Sequence, residues 1–132
     1  MSLTYLEQLC TQGIIEYPGM VSNIPEWLSK SSVFVLPSYY REGVPRSTQE
    51  AMAIGRAVIT TDVPGCRETV EHKRNGLMIP PHDINALVDA MCFFIENPDQ
   101  VLKMGTESHT IATAKFDARV VNERLYRLVM AD

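Results

Sequence analysis

Apolar residues in this chain fall into short continuous runs, alternating with stretches where they recur every three or four positions. The short runs predict buried strands, and the wider period predicts helices with one face on a sheet. Strands are expected at 14–17, closed by the turn pair Pro18-Gly19, and at 33–36 (Val-Phe-Val-Leu), 57–61 and 76–79, the last running into Pro80-Pro81. The run at 33–36 is apolar throughout, which suits a strand buried on both faces. Residues 3–12 read as a short helix, and 24–28 as another with Pro25 in its first turn.

The next helix begins near Pro45, turns Ala51, Met52 and Ile54 inward and ends at Gly55, an easy left-handed cap. Residues 67–71 suffice for about one helical turn. Asp83 is a good N-cap for a helix in which Ile84, Leu87, Val88, Met91 and Ile95 recur at helical spacing, and that stripe is expected on the sheet. Asn97-Pro98 stops it, a second helix covers 99–114, and Asp117 caps a third carrying Val121, Leu125 and Leu128 on one side. Strands alternating with helices imply an α/β fold with a parallel sheet, helices on both faces and right-handed crossovers.

Composition narrows the function classes. The chain has 132 residues and is 45% hydrophobic, enough for one domain with a core. A net charge of −4, with no basic cluster longer than Lys73-Arg74, argues against a nucleic-acid surface. Cys10, Cys66 and Cys92 are widely spaced and odd in number, so neither a disulfide framework nor a zinc site is suggested, and a reducing cytoplasm fits best. No apolar run approaches the roughly 18 residues of a membrane span, and the first residues lack the features of a signal peptide. Membrane association, if any, is expected to be peripheral or to reside in sequence outside this chain.

Chemistry is expected where the strand at 33–36 runs through residues 37–45 into the helix that ends at Gly55. In open α/β sheets ligands bind beyond the carboxyl ends of strands, and helix N-terminal amides attract anions. Glu42 lies in that loop and Glu50 inside the helix. Each also has an ordinary reading. Glu42 alone would be a solvated loop charge, and Ser47-Thr-Gln-Glu50 fits a capping box, in which Glu50 merely satisfies an N-terminal amide. Thr60, Thr61 and Asp62 either line the cleft or begin a turn. Arg67 and Glu68 read as polar residues packing locally at a helix start. His72, His82 and His109 are dispersed and read as surface positions, Trp27 as core packing, and the Phe93-Phe94 pair as partly buried sheet cover.

The block from Val33 to Asp62, containing Arg-Glu-Gly-Val-Pro-Arg-Ser-Thr-Gln-Glu-Ala-Met-Ala with its Glu-x7-Glu spacing, closely resembles the donor-site signature of retaining glycosyltransferases of group 1, family 4. The resemblance continues through residues 63–70 and 75–81 and covers nearly the whole chain from about Ile14. These enzymes have two Rossmann-like domains facing across a cleft, the GT-B arrangement. The resemblance implies that this chain is the latter part of the second, nucleotide-sugar-binding domain. The acceptor domain, two strands and the Arg and Lys that clamp the diphosphate would then be absent, leaving the fragment inactive alone.

By position, the resemblance gives Glu42 to the donor sugar, as the catalytic candidate, and Glu50 to the ribose hydroxyls. Carboxylates suit both tasks as strong acceptors. Gly43, Val44, Arg46 and Ser47 would offer backbone amides to the sugar and diphosphate, whereas Pro45 has no N–H to donate. The implied reaction moves a sugar from a nucleoside diphosphate sugar, with a UDP-sugar the favoured donor, to a hydroxyl with retained configuration. It needs no metal or other cofactor, and its main demand is stabilising the departing diphosphate. The Val-Pro-Arg form departs from the common Glu-Gly-Phe-Gly form and is similar to enzymes of bacterial polysaccharide and lipid-linked oligosaccharide synthesis. Arg46 there either adds a cation near the diphosphate or points to solvent.

Truncation carries its own expectation. In the family's sheet order, 3-2-1-4-5-6, the strand at 33–36 is the fourth and would expose an edge, which residues 3–17 cover by rearranging or which pairs in a homodimer. Partners are thus a nucleotide-sugar donor, an acceptor domain of the same parent chain, or a second copy, and no nucleic acid. Other readings are a non-catalytic half-Rossmann binding or regulatory module, which would want an acidic cluster and a downstream Lys that this chain lacks, and a fragment of a sugar-nucleotide epimerase.

Overall fold

A computed structural model describes Gln8 and residues 11–13, 32–38 and 43–115. The expected elements at 14–17, 24–28 and after Asp117, the rearrangement of residues 3–17, and Cys10, Trp27 and Glu42 lie outside the described residues. Gln8 and Thr11 are helical, as expected for 3–12, with Gln12 N–H donating to Gln8 O at 3.0 Å.

The described core is a parallel sheet of β1 (Val33–Leu36), β2 (Ala57–Thr61) and β3 (Gly76–Ile79) in the order β1-β2-β3. Val35 lies opposite Ile59, and Ile59 opposite Leu77. Connections between parallel neighbours carry helices: α1 (Arg46–Ala53) between β1 and β2, and a 3₁₀ turn (Cys66–Glu68) between β2 and β3. After β3 follow α2 (Ile84–Glu96) and α3 (Pro98–Lys115). The fold class is therefore α/β, as the alternation implies.

Strand alternation sorts the core into two faces. Ala57, Ile59, Leu77 and Ile79 pack with Ala90 and Phe94 of α2 and Met104 of α3, joined by Val33 and Val35. On the opposite face Val58 packs with Met52 of α1, Val70 and Ala112 of α3, joined by Phe34 and Met78. The long helix α3 thus serves both faces, and it passes from one to the other at Gly105. A Cβ there would stand 2.3 Å from Gly55 O, so the helix backbone lies directly on the turn that ends α1. Gly55 itself has φ +80°, the left-handed cap expected of it.

Several expectations are corrected. β1 is half-buried along its length rather than buried, because among the described residues it has a strand neighbour, β2, on one side only. The turn expected at 67–71 is the 3₁₀ turn Cys66–Glu68, whereas the helix expected at 99–114 is borne out as Pro98–Lys115, with Pro98 in its first turn where a missing N–H costs nothing. The largest correction concerns α2. Asp83 caps it as expected, its Oδ1 accepting from Ala86 N–H at 2.9 Å. Yet Ile84 is 75% and Ile95 77% exposed, with Val88 and Met91 also exposed, while Ala90 and Phe94 are buried and Ala86, Leu87 and Phe93 pack beside them. Apolar residues run nearly all round this helix, so period alone does not select a face. Small Ala90 admits a close approach to the sheet, and the Phe94 ring fills the space beyond it.

Candidate functional site at the carboxyl end of the sheet

β1 and β2 deliver their carboxyl ends side by side, and the segment after β1 is tied down there. Thr60 Oγ1 donates to Leu36 O at 3.0 Å and Thr61 Oγ1 donates to Ser38 O. Both threonines are buried, so their hydroxyls hold the backbone leading to the site. Neighbouring Asp62 pairs with Arg67, Oδ1 to Nε at 3.1 Å, and Arg67 Nη2 also reaches Asp62 O at 3.4 Å. That matches local packing of Arg67. A concavity of about 320 Å³ opens beside these strand ends, lined by residues that include Pro37, Thr61, Ile79, Pro80 and His82.

The chain re-enters the described region at Gly43, which is exposed, and Val44, which is half-buried. Pro45 is the N-cap of α1, with φ −65° and ψ 128°, and no side chain among the described residues caps the helix. Arg46 and Ser47 are consequently its first helical residues, and their amides open the helix without a side-chain acceptor. This geometry excludes the capping box, which requires Ser47 as N-cap and Glu50 at the third helical position. Glu50 instead lies deeper, and its Oε1 meets Arg46 Nε at 3.3 Å one turn away. The Arg46 side chain is 92% exposed and that of Glu50 34%, so the pair contributes little stability and leaves the carboxylate reachable. Arg46 thus both points to solvent and stands over Glu50.

Among the described residues nothing requires glycine at position 43: it is absent from the glycines with positive φ, and a Cβ built there meets no described atom within 4 Å. By contrast a Cβ at Gly76 would stand 1.8 Å from Val58 O. Space is therefore left open at Gly43 beside the uncapped helix end, which suits a ligand brought close to the backbone.

Sequence reasoning missed the residues that support this end. Gln49 donates its backbone N–H to Pro45 O at 3.2 Å and its side-chain Nε2–H to Val44 O, also at 3.2 Å. Thr48 is fully buried, and its Oγ1 meets no hydrogen-bond partner among the described residues. Asn75, at the opposite, amino end of the sheet just before β3, is buried as well. Its side chain donates to Thr69 O at 3.0 Å and Ser108 Oγ at 3.3 Å and accepts from Glu71 N–H at 2.8 Å. A polar residue next to a strand glycine was the available signal for Asn75, but nothing in the pattern names its partners. Arg74 outside this network binds Glu71 at 2.5 Å and Glu107 at 2.9 Å, and these hydrogen bonds push its guanidinium pKa up from its ordinary value.

The remaining candidates stay on the surface. His72, His82 and His109 are exposed, with His72 Nδ1 accepting from Met78 N–H at 2.9 Å and His109 Nδ1 lying 2.9 Å from Ala53 O. Cys66 is buried and Cys92 exposed. Among the described residues no three His, Cys, Asp or Glu side chains gather as metal ligands, and no helix is long and apolar enough to cross a membrane.

Known proteins resemble this arrangement. HepE from Anabaena, solved in complex with UDP, superposes with a TM-score of 0.85 at 22% identity, over 98% of this chain and 36% of that one. The C-terminal domain of the group 1 glycosyl transferase LpcC from Francisella tularensis superposes with a TM-score of 0.72 at 24% identity, over 87% of this chain and 62% of that one. These likenesses assign the fold, that of GT-B glycosyltransferases. By sequence, the N,N'-diacetylbacillosaminyl-diphospho-undecaprenol alpha-1,3-N-acetylgalactosaminyltransferase of Campylobacter jejuni is 30% identical over 92% of this chain. The putative colanic acid biosynthesis glycosyltransferase WcaL of Escherichia coli is 29% identical over 97%. The chain spans 32% and 34% of the lengths of these two relatives. Residues 2–97 match the family described as Glycosyl transferases group 1, and this chain belongs to that family.

Proposed function

We propose that the chain is the donor-binding part of a retaining, family 4 glycosyltransferase, from the C-terminal domain, that moves a hexosyl group from a UDP-sugar to a hydroxyl acceptor in polysaccharide or glycolipid synthesis. The observation that carries this reading is the uncapped N-terminus of α1 beyond the carboxyl end of β1, with Gly43 open beside it and the Glu50 carboxylate one turn inside. Amides of Val44, Arg46 and Ser47 face the diphosphate and sugar, Glu50 accepts from the ribose hydroxyls, and Glu42 accepts from the donor sugar. As the diphosphate departs, its charge grows on oxygens that these fixed amide dipoles and the Arg46 guanidinium already face, which lowers the barrier without a metal. Complexes of HepE with UDP and with UDP-glucose support a UDP-sugar as donor.

The acceptor site belongs to a further domain, so this part alone is inactive. It works in the cytoplasm, with the whole protein peripheral at the membrane where its acceptor is lipid-linked, a role supported by the diphospho-undecaprenol acceptor in the Campylobacter relative's name. Titrating the full-length protein with UDP, UDP-sugars and GDP-sugars tests the reading. Glu50→Gln should weaken UDP by about ten- to a hundredfold, the range for hydrogen bonds to a charged group. Glu42→Gln should abolish transfer while UDP binding stays within about twofold. UDP binding that ignores Glu50→Gln returns Glu50 to an exposed ion-pair role and sinks the site.

A further inference from the structure

We propose that Gln49 is a positioning residue for the donor, its side-chain amide holding the Val44 carbonyl so that the loop at Gly43 and the first amides of α1 face the nucleotide sugar. This rests on the donor-site reading above.

The geometry is specific. The first hydrogen bond of α1's ladder runs from Gln49 N–H to Pro45 O, so the Val44 carbonyl lies one residue before the ladder. Gln49 Nε2 reaches over it at 3.2 Å. One residue therefore grips two successive carbonyls. In a planar trans peptide the C=O and N–H point in opposite directions. With Pro45 O drawn down toward Gln49, the Arg46 N–H is turned up and out of the helix end. With Val44 O also drawn down, and Pro45 fixed near φ −65°, the backbone from Val44 to Arg46 has little freedom left.

The grip matters because, among the described residues, little else holds Val44 and Pro45 at the start of the helix. Pro45 lacks the N–H that would otherwise anchor this turn, α1 has no side-chain cap, and Gly43 meets no side chain of its own fold. A leucine or methionine at position 49 would keep the backbone bond to Pro45 O but leave Val44 O without its side-chain donor. The donor would then meet amides that must be ordered on binding, and that ordering is subtracted from affinity.

The test compares wild type with Gln49→Met, which keeps length and removes the donor, and Gln49→Glu, which replaces the amide by an acceptor facing a carbonyl. Binding of UMP, UDP and UDP-glucose to the full-length protein is measured by calorimetry, alongside Tm. Gln49→Met should weaken UDP and UDP-glucose by about three- to tenfold, the worth of one hydrogen bond, with Gln49→Glu weaker still. UMP, held through its ribose, and Tm should stay close to wild type. Equal weakening of all three ligands, or a large fall in Tm, would make Gln49 a structural residue and overturn the proposal. Unchanged UDP affinity in both variants overturns it as well, while leaving the donor site standing. If the wild-type protein binds no UDP, the donor site itself fails and this inference with it.

Discussion

Asn75 and Ser108 hold each other across 33 positions of sequence: the Asn75 amide donates to Ser108 Oγ at 3.3 Å, and the Ser108 hydroxyl donates back to Asn75 O at 3.2 Å. The same Asn75 carbonyl accepts Val58 N–H at 3.1 Å, so the exchange ties α3 to the mouth of β2 and β3. All of it is buried, where unmade hydrogen bonds are costly. Asn75→Ala should destabilise by about 2–3 kcal/mol, since it strands Thr69 O and Glu71 N–H, and Ser108→Ala by about 1 kcal/mol. Urea unfolding of both variants checks the order, and equal stability to wild type would deny the network any weight.

The glycines separate fold from function. Gly76→Ala and Gly105→Ala drive a Cβ into backbone oxygens at 1.8 and 2.3 Å and should cost about 1–3 kcal/mol or more. Gly43→Ala meets nothing among the described residues, so stability should stay within about 0.5 kcal/mol while UDP-glucose binding falls. A Gly43→Ala protein that binds UDP-glucose normally would remove the ligand from that space.

Thr48 offers a gain. Its hydroxyl is buried without a partner, so Thr48→Val keeps the shape and removes a desolvated polar atom. Thermal unfolding should show stabilisation by about 1 kcal/mol. Destabilisation instead would mean that the hydroxyl is satisfied.

The face of α2 that meets the sheet can be read by mutation. Phe94→Ala should cost about 3–5 kcal/mol, as for a buried aromatic. Ile95→Lys should change stability by no more than about 0.5 kcal/mol. The reverse order in denaturant unfolding would restore the stripe expected from periodicity.

What the sequence determined by itself was local. Short apolar runs bounded by Gly and Pro marked β1, β2 and β3, and Asp83 and Gly55 marked helix ends, because strand burial, capping and left-handed turns act over a few neighbouring residues. The ordered block around Glu42 and Glu50 was legible as a family signature for the same reason that it is contiguous.

Tertiary structure decided everything that depends on which surfaces meet. With apolar residues on several sides of α2, only packing chose Phe94 over Ile95. The helix start near Pro45 was already expected, but only the fold showed that Glu50 lies a turn inside it, paired with Arg46 and partly exposed, and not as a capping residue. The grips of Gln49 on Val44, of Thr60 on Leu36 and of Asn75 on Ser108 are likewise invisible in spacing. A buried donor takes whichever acceptor the fold brings within about 3 Å, and that choice is made in space rather than along the chain.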